Sequence, residues 1–340
     1  MEMIVLGNYF SFACLAGKCT STCCAGWKIF VDEKDYKRFL KLEPLWLRQD
    51  ILSHIRKKDG SYYFQNGEDG RCAMLDEDGL CRIQRNTEEK ALCNTCRKYP
   101  RLINQTDRTL YLSMAASCPV VADFLLCGTV FWRKGGKKED SKENDLECLK
   151  AVEAWEKVSV EKLPVLKEVW DIYETNQNWA KTVLQQRGNE ALLYGCFEKM
   201  ASSVLDIVLQ YQEGSGLLSF FQVLEREVSE CAGEFTKDTD SVWEKFRGNY
   251  MVYRLLSRKM EFPEEAAEAC YRQASGELFL LRTIAFCAYA DGQELTREKW
   301  TELICMVYRF CVHGKKVSGA FGKMITSFFS EDCFWSYLLF

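Results

Sequence analysis

Histidine is almost missing from this chain: 340 residues contain two, His54 and His313. An iron site of two histidines and a carboxylate would need both, and no His-Glu-x-x-His segment exists to support zinc-protease chemistry. Glycine-rich phosphate cradles are missing too. Neither Gly-x-Gly-x-x-Gly after a strand nor Gly-x4-Gly-Lys-Ser/Thr occurs, so a Rossmann or P-loop nucleotide site has no support. There is no excess of basic charge, the formal net charge being −4, which argues against nucleic acid as a partner. No run of about 18 apolar residues appears, so no membrane span is expected. The stretch from Leu278 to Ala288 is broken by Arg282 and reads as a buried helix. Glu2 stands where a secretory leader would be basic, and Leu15-Ala-Gly-Lys-Cys19 has Lys18 where a lipoprotein signal would need cysteine. The expected location is cytoplasmic.

What the chain has in quantity is cysteine, 18 of them. Cys14, Cys19, Cys23 and Cys24 fall within eleven positions; Cys72, Cys81, Cys93, Cys96 and Cys118 follow. In a reducing compartment such clustering points to metal binding or catalysis rather than disulfides. The nine others, from Cys127 to Cys333, lack ligand spacing and are expected to be small core hydrophobes.

Apolar content of 47% with 13% aromatics suits a globular protein of two domains or one large one. A strand is expected within 3–12 and another over Trp27–Val31. Asp32 then caps a helix to Leu42, and Pro44 starts a second helix to about Lys57. Asp59-Gly60 and Asn66-Gly67 flank a hairpin around Tyr62–Phe64. Cys72–Leu75 and Leu80–Ile83 suggest a second hairpin, and Leu110–Ser113 a strand. Pro119 opens a helix that ends at Gly128. From Arg133 to Glu147 ten of fifteen residues are charged, and a linker is placed there. Helical periodicity dominates afterwards, with helices near 146–160, 163–186, 190–212, 217–230, 240–258, 264–276, 277–290, 295–312 and 317–329. The expected fold is mainly α: a small cysteine-rich α+β metal-binding module over 1–132, a charged linker over 133–147, and an irregular helical domain over 148–340.

With so little histidine, a metal in this module must be held by sulfur, which selects zinc or iron–sulfur clusters. Cys93-x2-Cys96 is a standard zinc knuckle and Cys14-x4-Cys19 a looser one. Adjacent Cys23 and Cys24 diverge in extended backbone, which suits two sites or one larger cluster. The ferredoxin spacings are not met, so iron–sulfur and zinc both stay open, clustering favouring the former. A thioredoxin-like role for Cys93 and Cys96 lacks a surrounding βαβ pattern. Trp27, Tyr99 and Arg101 could line a pocket or simply pack. His313 could be a base, or a cap at a helix end.

The segments Phe12-x-Cys14, Cys19-Thr-x-Thr-Cys-Cys-Ala-Gly-Trp27, Cys72-Ala-Met-Leu-Asp with Gly-Leu-Cys81-Arg-Ile, Leu92-Cys-x-Thr-Cys-Arg-Lys-Tyr-Pro-Arg101 and Tyr111-Leu-Ser with Ser117-Cys-Pro119 resemble, in order, the flagellin lysine-N-methylases of bacteria. Weaker echoes lie in Asn249-Tyr-Met-Val-Tyr-Arg254 and Tyr308-Arg-Phe-Cys-Val-His313, the latter less polar than its family counterpart. The resemblance implies methylation of lysine on flagellin, or another protein lysine, with S-adenosylmethionine as donor. It also implies that Cys14, Cys19, Cys23, Cys24, Cys72, Cys81, Cys93, Cys96 and Cys118 match metal-ligating positions. The competing reading is a non-catalytic cysteine-cluster protein with a structural or docking role. No residue announces itself as catalytic base, although Tyr62, Tyr63, Tyr99, Asp76 and Asp78 are chemically able. Methyl transfer between two protein surfaces favours a cleft where the two halves meet, with Tyr99, Arg101 and residues 249–254 as expected walls.

Overall fold

A computed structural model describes residues 2–25, 27, 29–58, 60–105, 109–136, 156–158, 190–211, 214–226, 228–257, 264–313 and 315–329. The fold is mainly α with a cysteine-rich α+β portion. Its backbone order begins with strand β1 (Glu2–Leu6), followed by the cysteine loop and β2 (Phe30–Val31). Helices α1 (Glu33–Phe39) and α2 (Leu45–Ser53) and strands β3 (Ile55–Lys58) and β4 (Ser61–Phe64) come next. The short helices α3 (Arg82–Asn86) and α4 (Asn94–Lys98) lead into β5 (Arg101–Gln105), β6 (Thr109–Met114) and α5 (Pro119–Cys127). Strands β7 (Trp132–Gly136) and β8 (Glu156–Val158) complete the larger sheet. The remaining helices are α6 (Glu190–Tyr211), α7 (Leu218–Phe221), α8 (Cys231–Ser257), α9 (Glu264–Ala290), α10 (Arg297–Tyr308) and α11 (Lys315–Phe329).

The larger sheet has the order β5-β6-β1-β7-β8. Its centre is the parallel pair β1–β6, with Met3 opposite Leu110 and Val5 opposite Leu112. Every residue of β6 is buried, as expected of a strand covered on both faces. The smaller sheet, β2-β4-β3, is antiparallel. Gly60, at φ 79°, closes its β3–β4 turn, a left-handed position that glycine occupies at no steric cost.

Two apolar cores result. The larger joins Met3–Leu6, β6, α5 and Trp132 to the buried faces of α6, α8, α9, α10 and α11. The smaller is closed by Ile29, Val31, Phe39, Leu47, Ile51, Ile55, Phe64, Met74, Ile83 and Leu92, together with Cys72 and Cys93. The buried cores therefore do not divide at residue 132. The first strand and residues 99–103 and 110–132 pack with the helices, while the middle of the cysteine-rich region forms a core of its own. Arg133–Gly136, the start of the expected linker, belongs to β7; residues 137–147 lie outside the described residues.

Several local expectations need correcting. The first strand stops at Leu6, and residues 7–11 turn. The second helix ends at Ser53 instead of Lys57, because Ile55–Lys58 pairs with Ser61–Phe64. The second hairpin shrinks to one bridge, Leu75 to Cys81, after which the chain turns helical. The expected helix 146–160 is a strand at 156–158, paired with β7; its other residues, and the helix expected at 163–186, lie outside the described residues. The helix expected at 217–230 is a series of short turns and α7, and α8 begins at Cys231, nine residues earlier than 240. The helices expected on either side of residue 276 are one helix, α9. Gly276 does not break it: a Cβ there would stand 2.5 Å from Ile325 of α11, so the missing side chain permits close helix packing.

Candidate functional site

The small core positions the first group of cysteines through hydrogen bonds that are mostly to backbone. Asp32 caps α1 by accepting from Asp35 N at 2.7 Å, as its place in the sequence predicts. The Asp35 carboxylate, itself buried, accepts from Asn94 N at 2.6 Å and pairs with Arg38 at 2.8 Å. Arg38 donates to Leu92 O at 2.7 Å, so both ends of an ion pair, buried at Asp35 and half-buried at Arg38, hold the Cys93–Cys96 turn. Arg82 clamps the other wall, donating to Asp50 at 2.8 Å and to Ala73 O at 2.8 Å. Cys72 N donates to Cys24 O at 2.6 Å, bringing the end of the first cysteine loop onto the small core.

In this core Cys93 and Cys96 bring their sulfurs to 3.4 Å. Burial, followed by the charges of Cys24, Cys81 and Cys93, pushes the Cys72 thiol up to about 12, against a backbone hydrogen bond that lowers it. Cys81 is raised by burial too, with Cys24 and Cys93 adding to the effect. Cys24, Cys72, Cys81, Cys93 and Cys96 are thus one electrostatic neighbourhood.

The second group lies where the small core meets the large one. Arg309, just beyond α10, donates to Ser21 O at 2.7 Å, Thr22 O at 3.3 Å and Ser117 O at 3.3 Å. One guanidinium therefore ties the Cys19–Cys23 loop to the residue preceding Cys118. Cys118 is the N-cap of α5, with Pro119 at the first helical position. Burial pushes its thiol up to about 11, with Cys19 and Cys14 contributing. Burial also raises Cys19, with the charges of Cys14 and Cys24 contributing. Cys23 and Cys24, sulfurs 4.0 Å apart, join the two groups. Their mutual hydrogen bond lowers Cys24 to about 7 and raises Cys23. Among the described residues no three His, Cys, Asp or Glu side chains already surround a common point as metal ligands do; the sulfurs meet in pairs.

Beside the second group the chain builds an aromatic wall around its second histidine. Residues Arg309–His313 form a π-helical turn, a local widening frequent at functional sites. His313 Nε2 lies 2.7 Å from Ser117 Oγ, which lies 3.0 Å from the Tyr99 hydroxyl. Trp27 stacks on His313 with ring centres 6.2 Å apart and meets Tyr99 at 6.0 Å. Tyr308 closes edge-on at 5.8 Å. His313 as a whole residue is exposed. Its packed side and the Arg309 charge lower its pKa, burial being the larger cause.

Other sequence candidates lie elsewhere. Tyr62 stacks on Tyr36 at 4.1 Å, and Asp76 and Asp78 pair with Arg85 in the cysteine-rich portion. Arg101 packs over Tyr9 and Phe12 at 5.8 and 5.2 Å. Asn249 accepts from Val130 N and donates to Leu125 O and Gly128 O, fixing the end of α5. Tyr253 bonds Met114 O, Ala116 N and the Tyr308 hydroxyl. Residues 249–254 therefore brace the inside of the large core instead of walling a cleft. Of the later cysteines, Cys270, Cys287, Cys305 and Cys311 are buried as expected, Cys196 and Cys231 half-buried, and Cys127 exposed. Cys148 and Cys333 lie outside the described residues. Sequence reasoning missed Ser117 and Arg309: a serine beside a motif cysteine and an arginine after an apolar helix carry no spacing signal.

No family model matches the chain, and no solved structure matches it. Three curated proteins of Salmonella do. The lysine-N-methylase of Salmonella typhimurium is 33% identical over 120 residues, 34% of this chain and 30% of that protein. The lysine-N-methylase of Salmonella choleraesuis matches to the same extent. The flagellar biosynthetic protein FliU of Salmonella muenchen is 31% identical over 140 residues, 40% of this chain and 83% of that protein. The match thus spans about a third of the two lysine-N-methylases but most of the third relative. On these similarities, and on the ordered cysteine segments that the two cores bring together, the chain belongs to the flagellin lysine-N-methylase family.

Proposed function

We propose that this protein transfers methyl groups from S-adenosylmethionine to lysine ε-amino groups of flagellin in the cytoplasm, at the seam between its two cores. The observation that supports this best is the His313–Ser117–Tyr99 chain, set among Trp27 and Tyr308 beside the cysteine loop. A lysine ammonium is attracted to aromatic faces, and the half-buried Trp27 offers one, whereas Tyr308 is buried with Arg254 over its ring. The amine must lose a proton before it can attack. His313, its pKa lowered by burial and by Arg309, is neutral at ordinary pH and can accept that proton on the ring nitrogen not bonded to Ser117. The lysine nitrogen then bonds to the methyl carbon as the carbon–sulfur bond breaks, leaving a thioether and a methylated ammonium. Holding the amine in line is the main demand, since orientation supplies much of such a rate.

The cysteines suit a soft, sulfur-bound metal. All nine are free thiols, and paired sulfurs at 3.4 and 4.0 Å bracket the ~3.8 Å separation that tetrahedral bonds of about 2.3 Å to zinc would give. Cys24, Cys72, Cys81, Cys93 and Cys96 would hold one centre, and Cys14, Cys19, Cys23 and Cys118 another, of zinc or iron–sulfur. Such centres would supply cross-links between segments; the proton and methyl steps belong to the residues named above.

Incubating metal-replete protein with labelled S-adenosylmethionine and flagellin tests the reading. Label should appear on lysine in steps of one methyl, and His313→Gln should lower the rate by about 10²-fold or more. A folded, metal-replete protein that transfers nothing would leave the cysteine-cluster docking role as the better account.

A further inference from the structure

The chain as a whole is acidic, with a formal net charge of −4, but the segments that build the aromatic wall are not. Residues 3–31, 90–106, 108–122 and 303–330 supply Trp27, Tyr99, Ser117, Tyr308 and His313, and they contain no Asp or Glu. They bring cations instead. Arg97 and Lys98 close α4 immediately before Tyr99. Lys316 comes three residues after His313, and Lys18 three residues before Ser21, whose carbonyl Arg309 holds. At about 3.8 Å per residue, these Cα atoms lie within roughly 11 Å of the wall or of its clamp. Elsewhere on the surface such cations have carboxylates, as Lys37 has Glu33 and Lys134 has Glu2. Lys18, Arg97, Lys98 and Lys316 are exposed, and among the described residues none of their side chains makes a hydrogen bond or an ion pair. Arg309 adds its charge from the packed side, where it lowers the pKa of His313.

This grouping acts on an incoming lysine in two ways. It repels a lone ammonium, yet it favours the neutral amine at close range, because like charge nearby disfavours the charged form. Carboxylates beside the lysine reverse the repulsion, meeting the outer cations while the amine reaches Trp27 and His313. We propose that the cations around the Trp27–His313 wall select lysines flanked by aspartate or glutamate on the partner protein. The proposal deepens, and rests on, the methyltransferase reading above. It gives the site a choice among lysines that an aromatic face alone, attractive to every ammonium, does not provide. Interfaces match charge in this way to steer encounter and to reject wrong partners. An acidic protein segment fits better than a nucleic acid, because a lysine must enter between the charges.

Peptides with one lysine flanked on both sides by Glu, by Gln or by Arg test this on the full-length, metal-replete protein. Binding is read by fluorescence anisotropy, and transfer with labelled S-adenosylmethionine. At low salt the Glu-flanked peptide should bind about tenfold tighter than the Gln-flanked one, and the Arg-flanked one most weakly. The gap should narrow several-fold at about 0.5 M salt, where exposed charges are screened. Lys98→Glu combined with Lys316→Glu should abolish the preference, and Lys98→Gln with Lys316→Gln should reduce it. The same reversal at Lys237, on α8 outside these segments, should not. Unchanged circular dichroism and metal content would show the variants intact. Metal lost from the Gln variant would assign the cations to charge balance at the sulfur sites and overturn the proposal. Equal or undetectable binding of the Glu- and Gln-flanked peptides would also overturn it, while label reaching flagellin in the same sample would leave the methyltransferase reading standing. Preferential binding with no methylation of any peptide or of flagellin would overturn that reading and leave a docking surface for acidic protein segments. Displacement of the Glu-flanked peptide by a lower concentration of a single-stranded oligonucleotide of equal charge would overturn the choice of a protein partner.

Discussion

Two buried arginines show how differently the same side chain can act. Arg254 holds Glu277 with two hydrogen bonds of 2.7 Å, and both are sealed from solvent. Tyr250 and Gln273 also donate to that carboxylate. Arg254→Met would strand a buried charge and should cost about 3–5 kcal/mol in denaturant unfolding. Arg282 is equally buried, yet its carboxylate, Asp240, stands 3.5 Å away and half in solvent. Its guanidinium rests mainly on Trp243 and Phe235, at 4.8 and 5.3 Å. Arg282→Met frees no buried partner, so stability should be unchanged or should rise by about 1 kcal/mol or more; a loss comparable to that of Arg254→Met would refute the distinction. The sequence marks Arg282 as an interruption of an apolar run, but a partner 42 positions earlier is set by packing between helices and has no local signal. His313 adds a pH test. Its folded pKa lies below the unfolded value of about 6.5, so the unfolded chain binds the proton more readily. The stability it contributes is complete above that pH and is lost as pH falls toward its folded pKa. His313→Gln should flatten the fall in melting temperature below pH 6.5 relative to the parent.

Elements were legible where a local rule sufficed. Asp32 before α1, Pro119 at the start of α5 and the breaker at Asp291-Gly292 all mark boundaries that the chain observes. The errors arose where tertiary contact overrode the local rule. Gly276 would end a lone helix, but inside the large core it lets α9 and α11 approach, with Ile325 filling the place of a side chain. Gly276→Ala must displace Ile325, and overpacking of this kind should cost about 1–3 kcal/mol, measurable by urea unfolding. Gly248, with nothing near its would-be Cβ, should tolerate the same change or gain slightly in helix propensity. The π-turn after α10 is another product of packing. It sets Arg309 against Ser21, Thr22 and Ser117 while His313 reaches Ser117. Arg309→Ala should accelerate amide hydrogen exchange in residues 19–24 but leave α9 protected; equal protection of the loop in both proteins would show that the clamp is idle. The clustering of the cysteines was readable in the sequence alone, whereas their division into two groups needed the fold, because it depends on which core each neighbour joins.

At the scale of the whole molecule the two cores are unequal, and that inequality makes a thermodynamic prediction. The large core gathers helices from α5 to α11 around the central strands β1 and β6. The small one spans only residues 29–93 in its buried set, with short helices and two-to-four-residue strands. A core of this size supplies little stability, and small domains commonly need a metal or other cross-link to remain folded. The cysteines lie where such a link would serve: five around the small core, and the others along its junction with the large core. Metal binding would then be part of the folding free energy of the small core, not of the large one. Calorimetry of the metal-replete protein should show the small core's transition displaced to lower temperature by a chelator, with the main transition nearly unmoved. Cys72→Ser and Cys93→Ser should reproduce that selective loss, whereas Cys270→Ser, in the large core, should shift only the main transition. Hydrogen exchange provides the spatial check: chelation should expose amides of α1, α2 and β4 before those of β6 or α9. A single transition that moves as one unit under chelator would mean that the two cores fold together and that the sulfur sites do not act as a local staple.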